Sequence, residues 1–203
     1  MIRNVIFDFG GVLFEWNPRK IAETFTQSSY EQELLLNNVL KHTDWLDLDR
    51  GTMFMAEVIP KFAARTGFPE ARMEDFLHHI QNSLHLIEET KALLDELIEQ
   101  GFHVYYLTNM SSAFFDTLYD KHDFIADFHG GLVSARELLL KPEPAIFQRF
   151  IEKYELRPES CLFIDDNTPN VETAKRLGMA AFHFTATEDC YRDIRSILRL
   201  THN

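Results

Sequence analysis

Residues 161–166, Cys-Leu-Phe-Ile-Asp-Asp, decide how the chain is read: four apolar residues in a row, then two adjacent carboxylates. A run this short, apolar on both faces, fits a strand in the middle of a parallel sheet, where helices cover both sides. Two other runs end in the same abrupt way. Val5-Ile6-Phe7 stops at Asp8, and Val104 to Leu107 stops at Thr108-Asn109. Gly131 to Ser134 and Met179 to His183 supply a fourth and a fifth candidate strand.

Helical patterns separate these runs. Glu89 to Gln100 places Leu93, Leu94, Leu97 and Ile98 on one side and stops at Gly101, a suitable residue just past a helix end. Pro144 to Tyr154 carries Ile146, Phe147, Phe150 and Ile151 at helical spacing. Thr168-Pro169 reads as an N-cap with proline at the first helical position, opening a helix to Leu177 that ends at Gly178. Tyr191 to Leu200 reads as a closing amphipathic helix. Strand and helix alternate from residue 89 onward, which implies right-handed βαβ units. Residues 16–86 differ: they show helical periodicity, breaks at Gly51, Pro60 and Gly67-Phe-Pro69, and no strand. The expected fold class is therefore α/β: a doubly wound, Rossmann-like parallel sheet core of residues 1–15 and 87–203, with a helical subdomain of residues 16–86 inserted after the first strand.

Composition narrows the function classes. The 203 residues are 45% hydrophobic and 26% charged, a soluble globular balance, and the formal charge is −12. That sign argues against nucleic acid and against an anionic membrane surface as partners. No run approaches the ~18 apolar residues of a membrane span, and the first apolar run, cut short at Asp8, is no signal peptide. Cys161 and Cys190 have no metal-ligand spacing, so the expectation is two reduced thiols in a cytoplasmic protein, a monomer or at most a weak homodimer.

Ligands of open parallel sheets sit beyond the carboxyl ends of the strands. Those ends present Asp8, Thr108-Asn109 and Asp165-Asp166, with Lys141 in the connection between two later strands. The three aspartates and the lysine leave a net charge of −2 in a small volume. Two like charges ~4 Å apart at an effective dielectric of ~20 repel by roughly 4 kcal/mol. A hard divalent cation relieves that repulsion, and an all-oxygen donor set points to Mg²⁺. With the cation in place the site can accept a phosphoryl group.

Taken together, Phe7-Asp8-Phe9-Gly10-Gly11-Val12-Leu13, Leu107-Thr108-Asn109, Lys141-Pro142-Glu143 and Phe163-Ile164-Asp165-Asp166-Asn167 with Asn170 resemble the haloacid dehalogenase superfamily. All four of its motifs occur in order, each on a predicted strand end or the loop beside it. The helical insertion resembles the C1 cap of its subfamily I. The resemblance implies a Mg²⁺-dependent phosphatase, a phosphoric monoester hydrolase acting on a small-molecule phosphate ester such as a sugar phosphate. Asp8 would be the nucleophile, forming an aspartyl-phosphate. Thr108 and the backbone of Asn109 would bind phosphoryl oxygens, and Lys141 would neutralise the nucleophile and the transferring group. Asp166, a carboxylate oxygen of Asp8 and the carbonyl of Gly10 would ligate the metal. Asp165 would be either a further ligand or a partner of Lys141. Cap loops of the family often choose the substrate, which makes Arg50, in the charged turn Asp44, Asp47, Asp49, Arg50-Gly51, a substrate-binding candidate.

One position departs from the pattern. Phosphatases of the family usually carry a second Asp two residues after the nucleophile, as general acid and base; here that residue is Gly10. A positioned acid is worth about 10²–10⁴-fold in rate. Three consequences are open: a substrate with a good leaving group, another residue supplying the proton, or a catalytically weak or silent protein that binds a metabolite or regulates. Dehalogenases of the superfamily also lack the second Asp, but they lack the acidic pair too, and 2-haloacid dehalogenation ranks below phosphoryl transfer. His78, His79 and His85 lie in the insertion, where a proton donor could come from, although adjacent histidines cannot both face one side of a helix. Trp16 and Trp45 fit cap packing better than ligand stacking.

Overall fold

The computed structural model describes residues 1–200. Five strands, β1 (Asn4–Phe7), β2 (His103–Thr108), β3 (Gly130–Val133), β4 (Cys161–Asp165) and β5 (Ala180–His183), form one sheet in the order β3-β2-β1-β4-β5, every pair parallel. All five correspond to the expected runs. β1 is central, with Phe7 opposite Tyr106 of β2 and Ile164 of β4. That register puts the residues just past β1, at the end of β2 and at the end of β4 side by side. The chain leaves β1 towards β3 on one side and returns to β4 and β5 on the other, so the crevice beyond β1 is the place where such sheets bind ligands.

Both faces of the sheet are apolar, as a parallel sheet requires. Ile6, Leu107, Leu132 and Phe163 pack with Ile146, Phe147 and Phe150, whereas Val5, Phe7, Val104, Leu162 and Ile164 join the larger cluster on the opposite face. The alternation Ile6 against Val5 and Phe7 is the strand period of two. Phe147 and Phe163 meet edge to face at 5.3 Å between centroids.

After β1, residues 16–86 hold five helices: α1 (Pro18–Phe25), α2 (Ser29–Leu35, continued by a π-helical turn at Leu36–Leu40), α3 (Thr43–Arg50), α4 (Met55–Thr66) and α5 (Glu70–Asn82). Gly51 and Gly67 close α3 and α4 in the left-handed conformation, at φ 81° and 75°. The break expected at Pro60 is absent: Pro60 lies inside α4, which forfeits one backbone hydrogen bond but keeps Val58, Phe62 and Ala63 buried. The remaining helices are α6 (Glu88–Glu99), α7 (Ser112–Lys121), α8 (Ser134–Glu137), α9 (Pro144–Lys153), α10 (Thr168–Arg176) and α11 (Glu188–Leu198). The N-cap of α10 is Asn167, one residue earlier than expected, because Asp165 Oδ1 already accepts the Asn167 N–H at 2.8 Å and the chain turns at once. α11 starts three residues earlier than its apolar pattern, where Thr187 caps the Cys190 N–H and Glu188 and Asp189 favour the first turn. Cys161 and Cys190 are buried free thiols, and no described helix is long and apolar enough to cross a membrane.

Phe147 fills one face of the sheet and is fully buried. Phe147→Ala should lower unfolding free energy by about 3–5 kcal/mol in a urea titration, since the cavity it leaves is walled by strand and helix that cannot collapse.

Candidate active site

Asp8 directly follows β1, and its N–H donates to the Ile164 carbonyl at 3.0 Å, so the nucleophile candidate is held in the sheet's own ladder. Asp8 Oδ1 accepts from the Phe9 N–H at 2.7 Å and pairs with Lys141 Nζ at 2.8 Å. Oδ2 makes no hydrogen bond among the described residues and is the oxygen left for chemistry. Lys141 Nζ also meets Asp165 Oδ2 at 2.7 Å, over the Phe163 ring. Burial alone would lower the Lys141 pKa, but Asp165 and Asp8 outweigh it and raise it, so the side chain is a fixed cation.

Asp165 is saturated. Besides Lys141 it accepts from Asn170 Nδ2 at 3.0 Å on both oxygens and from the Asn167 N–H. Asp166, one residue on, points elsewhere: its carboxylate lies over Gly11, where an added Cβ would come within 2.2 Å of Oδ2. With φ +74° as well, Gly11 is a position only glycine fills. Asp8, Asp165 and Asp166 each offer an oxygen, all within 4.8 Å of one another. Burial raises the Asp8 carboxyl from 3.8 to about 8; Lys141 opposes the rise, and Asp165 and Asp166 reinforce it. Burial, with Asp165 behind it, raises Asp166 as well. Excess negative charge on hard oxygen donors is what a small divalent cation satisfies, and the residues fit one.

Thr108, at the end of β2, is fully buried, and its hydroxyl is one of two buried side-chain polar atoms without a partner among the described residues. Leaving such a group unpaired costs about 1–3 kcal/mol, which an incoming oxyanion recovers. The Asn109 side chain clasps the Lys141 backbone from both sides, Oδ1 accepting its N–H at 2.8 Å and Nδ2 donating to its carbonyl at 2.9 Å. It thereby fixes the lysine. That role has no trace in the sequence beyond residue type.

Above these groups is a cavity of about 310 Å³. Asp8, Gly10, Lys141 and Asp166 lie at one end, and Trp16, Leu40, Trp45, Leu84, Met110 and Phe114 supply apolar walls. Trp16 and Trp45 stack at 5.9 Å, so the tryptophans pack on one another and line the cavity together. Arg50 is placed beside the cavity rather than in its wall. It is not among the cavity-lining residues but forms a double hydrogen bond with Glu143, tying α3 to the loop that carries Lys141. Asp49, its neighbour, lines the cavity instead, a position the sequence reading placed only in a charged turn. None of the three histidines of the insertion lines it: His79 bonds Thr24 at 2.8 Å, and His78 and His85 are exposed.

A family model for haloacid dehalogenase-like hydrolases matches residues 2–178. The chain belongs to that family. It is 28% identical over 193 residues to the sesquiterpene phosphatase astK of Aspergillus oryzae, with 95% of each chain covered. It is 25% identical over 205 residues to the D-ribitol-5-phosphate phosphatase of Bacteroides thetaiotaomicron, covering 98% of this chain and 99% of that one. A HAD family enzyme of Bacteroides thetaiotaomicron, solved with magnesium and inorganic phosphate, superposes with a TM-score of 0.74 over 93% of this chain and 97% of that one, at 22% identity.

Because Asp8 binds its proton more tightly folded than unfolded, its stabilising contribution is complete at about pH 4 and is lost as pH rises through about 8. Urea titrations of the metal-free chain across that window should show stability falling more steeply with pH for the wild type than for Asp8→Asn.

Proposed function

We propose that this chain is a Mg²⁺-dependent phosphatase that hydrolyses the phosphate monoester of a small alcohol through an aspartyl-phosphate on Asp8. The observation that carries the reading is the Asp8–Lys141–Asp165 chain of contacts beside the unpartnered Thr108 hydroxyl: a nucleophile, a buried cation and a waiting donor at one sheet edge. Whole-length similarity to two chains named as phosphatases supports it.

Mg²⁺, held by Asp8, Asp166 and the Gly10 carbonyl, would neutralise charge on the nucleophile and on the phosphoryl oxygens. Asp166 is assigned as the ligand over Asp165 because Asp165 is already taken by Lys141, Asn170 and the Asn167 N–H. Lys141 and the Thr108 hydroxyl hold two equatorial oxygens, so the phosphorus faces Asp8 Oδ2 in line with the leaving oxygen. Attack opens the bond to the alcohol, and water then cleaves the aspartyl-phosphate. Residues 16–86 act as the cap that shuts water out of the first step.

The walls favour an apolar alcohol over the sugar of the sequence-based expectation. Asp49 is the one charged group that the helical insertion contributes to the cavity, and its other contributions there are apolar or proline. Dehalogenation is disfavoured, since Asp165 and Asp166 would repel a carboxylate substrate. A second reading, a silent metabolite-binding protein, is favoured by Gly10 alone.

Hydrolysis of an aryl phosphate should require Mg²⁺, stop with a chelator and fall to background in Asp8→Asn. Along a series of linear alkyl phosphates, kcat/KM should rise about fourfold per added methylene until the cavity is full, following ~0.8 kcal/mol per buried CH₂. Tight phosphate-ester binding with no turnover of any ester would favour the silent reading instead.

A further inference from the structure

Gly10 leaves the site without a proton donor at the family's usual position, although a Cβ there would meet the Trp16 side chain only in ordinary contact, at 3.5 Å. An alkyl alcohol is a poor leaving group, so its departure as an alkoxide needs an acid. Lys141 is locked between two carboxylates, and the histidines of the insertion lie outside the cavity. Only one ionisable side chain from the insertion remains in the chamber that holds Asp8.

We propose that Asp49 is the general acid and base of the reaction, supplied by the helical insertion in place of the missing carboxylate at position 10. This rests on the phosphatase reading above. The residue is built into place from three sides. Its backbone carbonyl accepts from Ser134 Oγ at 2.5 Å, and that hydroxyl oxygen in turn accepts from the Met110 N–H at 2.9 Å. Its carboxylate accepts from the Ser111 N–H and from Trp45. Two residues on, Gly51 approaches the core so closely that a Cβ would lie 2.1 Å from the Ala135 carbonyl oxygen, and Arg50 between them is paired with Glu143. Burial raises the Asp49 carboxyl from 3.8 to about 7, outweighing the hydrogen bonds from Ser111 and Trp45, so near neutrality it holds a proton it can give up and regain.

The bookkeeping closes over two steps. Asp8 bonds to phosphorus as the bond from phosphorus to the alcohol oxygen breaks, and the Asp49 proton passes to that oxygen, giving neutral alcohol and an Asp49 carboxylate. Water then bonds to phosphorus as the aspartyl-phosphate bond breaks; its proton goes to Asp49, and the Asp8 carboxylate and inorganic phosphate are released. The acid is reset.

The test compares Asp49→Asn with the wild type on an alkyl and an aryl phosphate, both with saturating Mg²⁺. The expected result is a loss of about 10²–10⁴-fold in kcat on the alkyl ester and a much smaller loss on the aryl ester, whose leaving group needs no proton. The double variant Gly10→Asp, Asp49→Asn should regain alkyl phosphate turnover, since it restores a carboxylate at the family's usual position. Equal losses on both esters without recovery in the double variant, or no loss on the alkyl ester, would overturn the assignment while the phosphatase reading stands. No turnover of either ester by the wild type would overturn both.

Discussion

Lys141 enclosed by Asp8 and Asp165 is the contact on which the rest of the site depends. Removing one member of such a buried group costs about 3–5 kcal/mol, because the charges left behind have no water to turn to. The surroundings are arranged accordingly. Asn109 holds the lysine's backbone, Asn170 and the Asn167 N–H hold Asp165, and the Phe9 N–H holds Asp8. These partners follow three different strands: Phe9 after β1, Asn109 after β2, and Asn167 with Asn170 after β4. The parallel register is thus a precondition of the electrostatics, since a slip of one residue in β1 would turn Asp8 to the other face of the sheet.

The same enclosure explains how a chain with formal charge −12 can receive an anionic group. The overall charge is spread over helices, whereas in the proposed reaction the phosphoryl group would meet a lysine ammonium, a free hydroxyl and the cation held by Asp8 and Asp166. At contact distance these local charges dominate, and the distant surface charge is screened over ~8 Å at physiological salt.

The sheet was legible because burial on both faces imposes unbroken apolar runs, and because the polar residues that end them form the candidate site. Asp8, Thr108 and the Asp165-Asp166 pair could be found from those endings, and Lys141 from the Lys-Pro-Glu motif in the connection between two later strands. What could not be read was partnership. Nothing in the order Asp49-Arg50 says that the arginine turns to Glu143 and the aspartate to the cavity. Nothing distinguishes Asp165 from Asp166 until Asn170 and Lys141 are seen to occupy the first. The helix α7 is not among the expected elements, although Ser111 precedes Phe114, Phe115 and Leu118 at helical spacing. Pro60 was read as a break because a proline penalty is local, while the burial of Val58 and Phe62 that outweighs it is tertiary.

Gly51 and the Ala135 carbonyl are in contact with no space for even a methyl group between them, and Asp49 lies two residues earlier, in the last turn of α3. If a ligand held α3 off α8, Asp49 would be withdrawn from the chamber with it. A molecule too bulky to let the two surfaces meet would still reach Asp8, yet would find no carboxyl in position above it. Fit would then be read out as proton transfer, so that size selection and turnover become a single event.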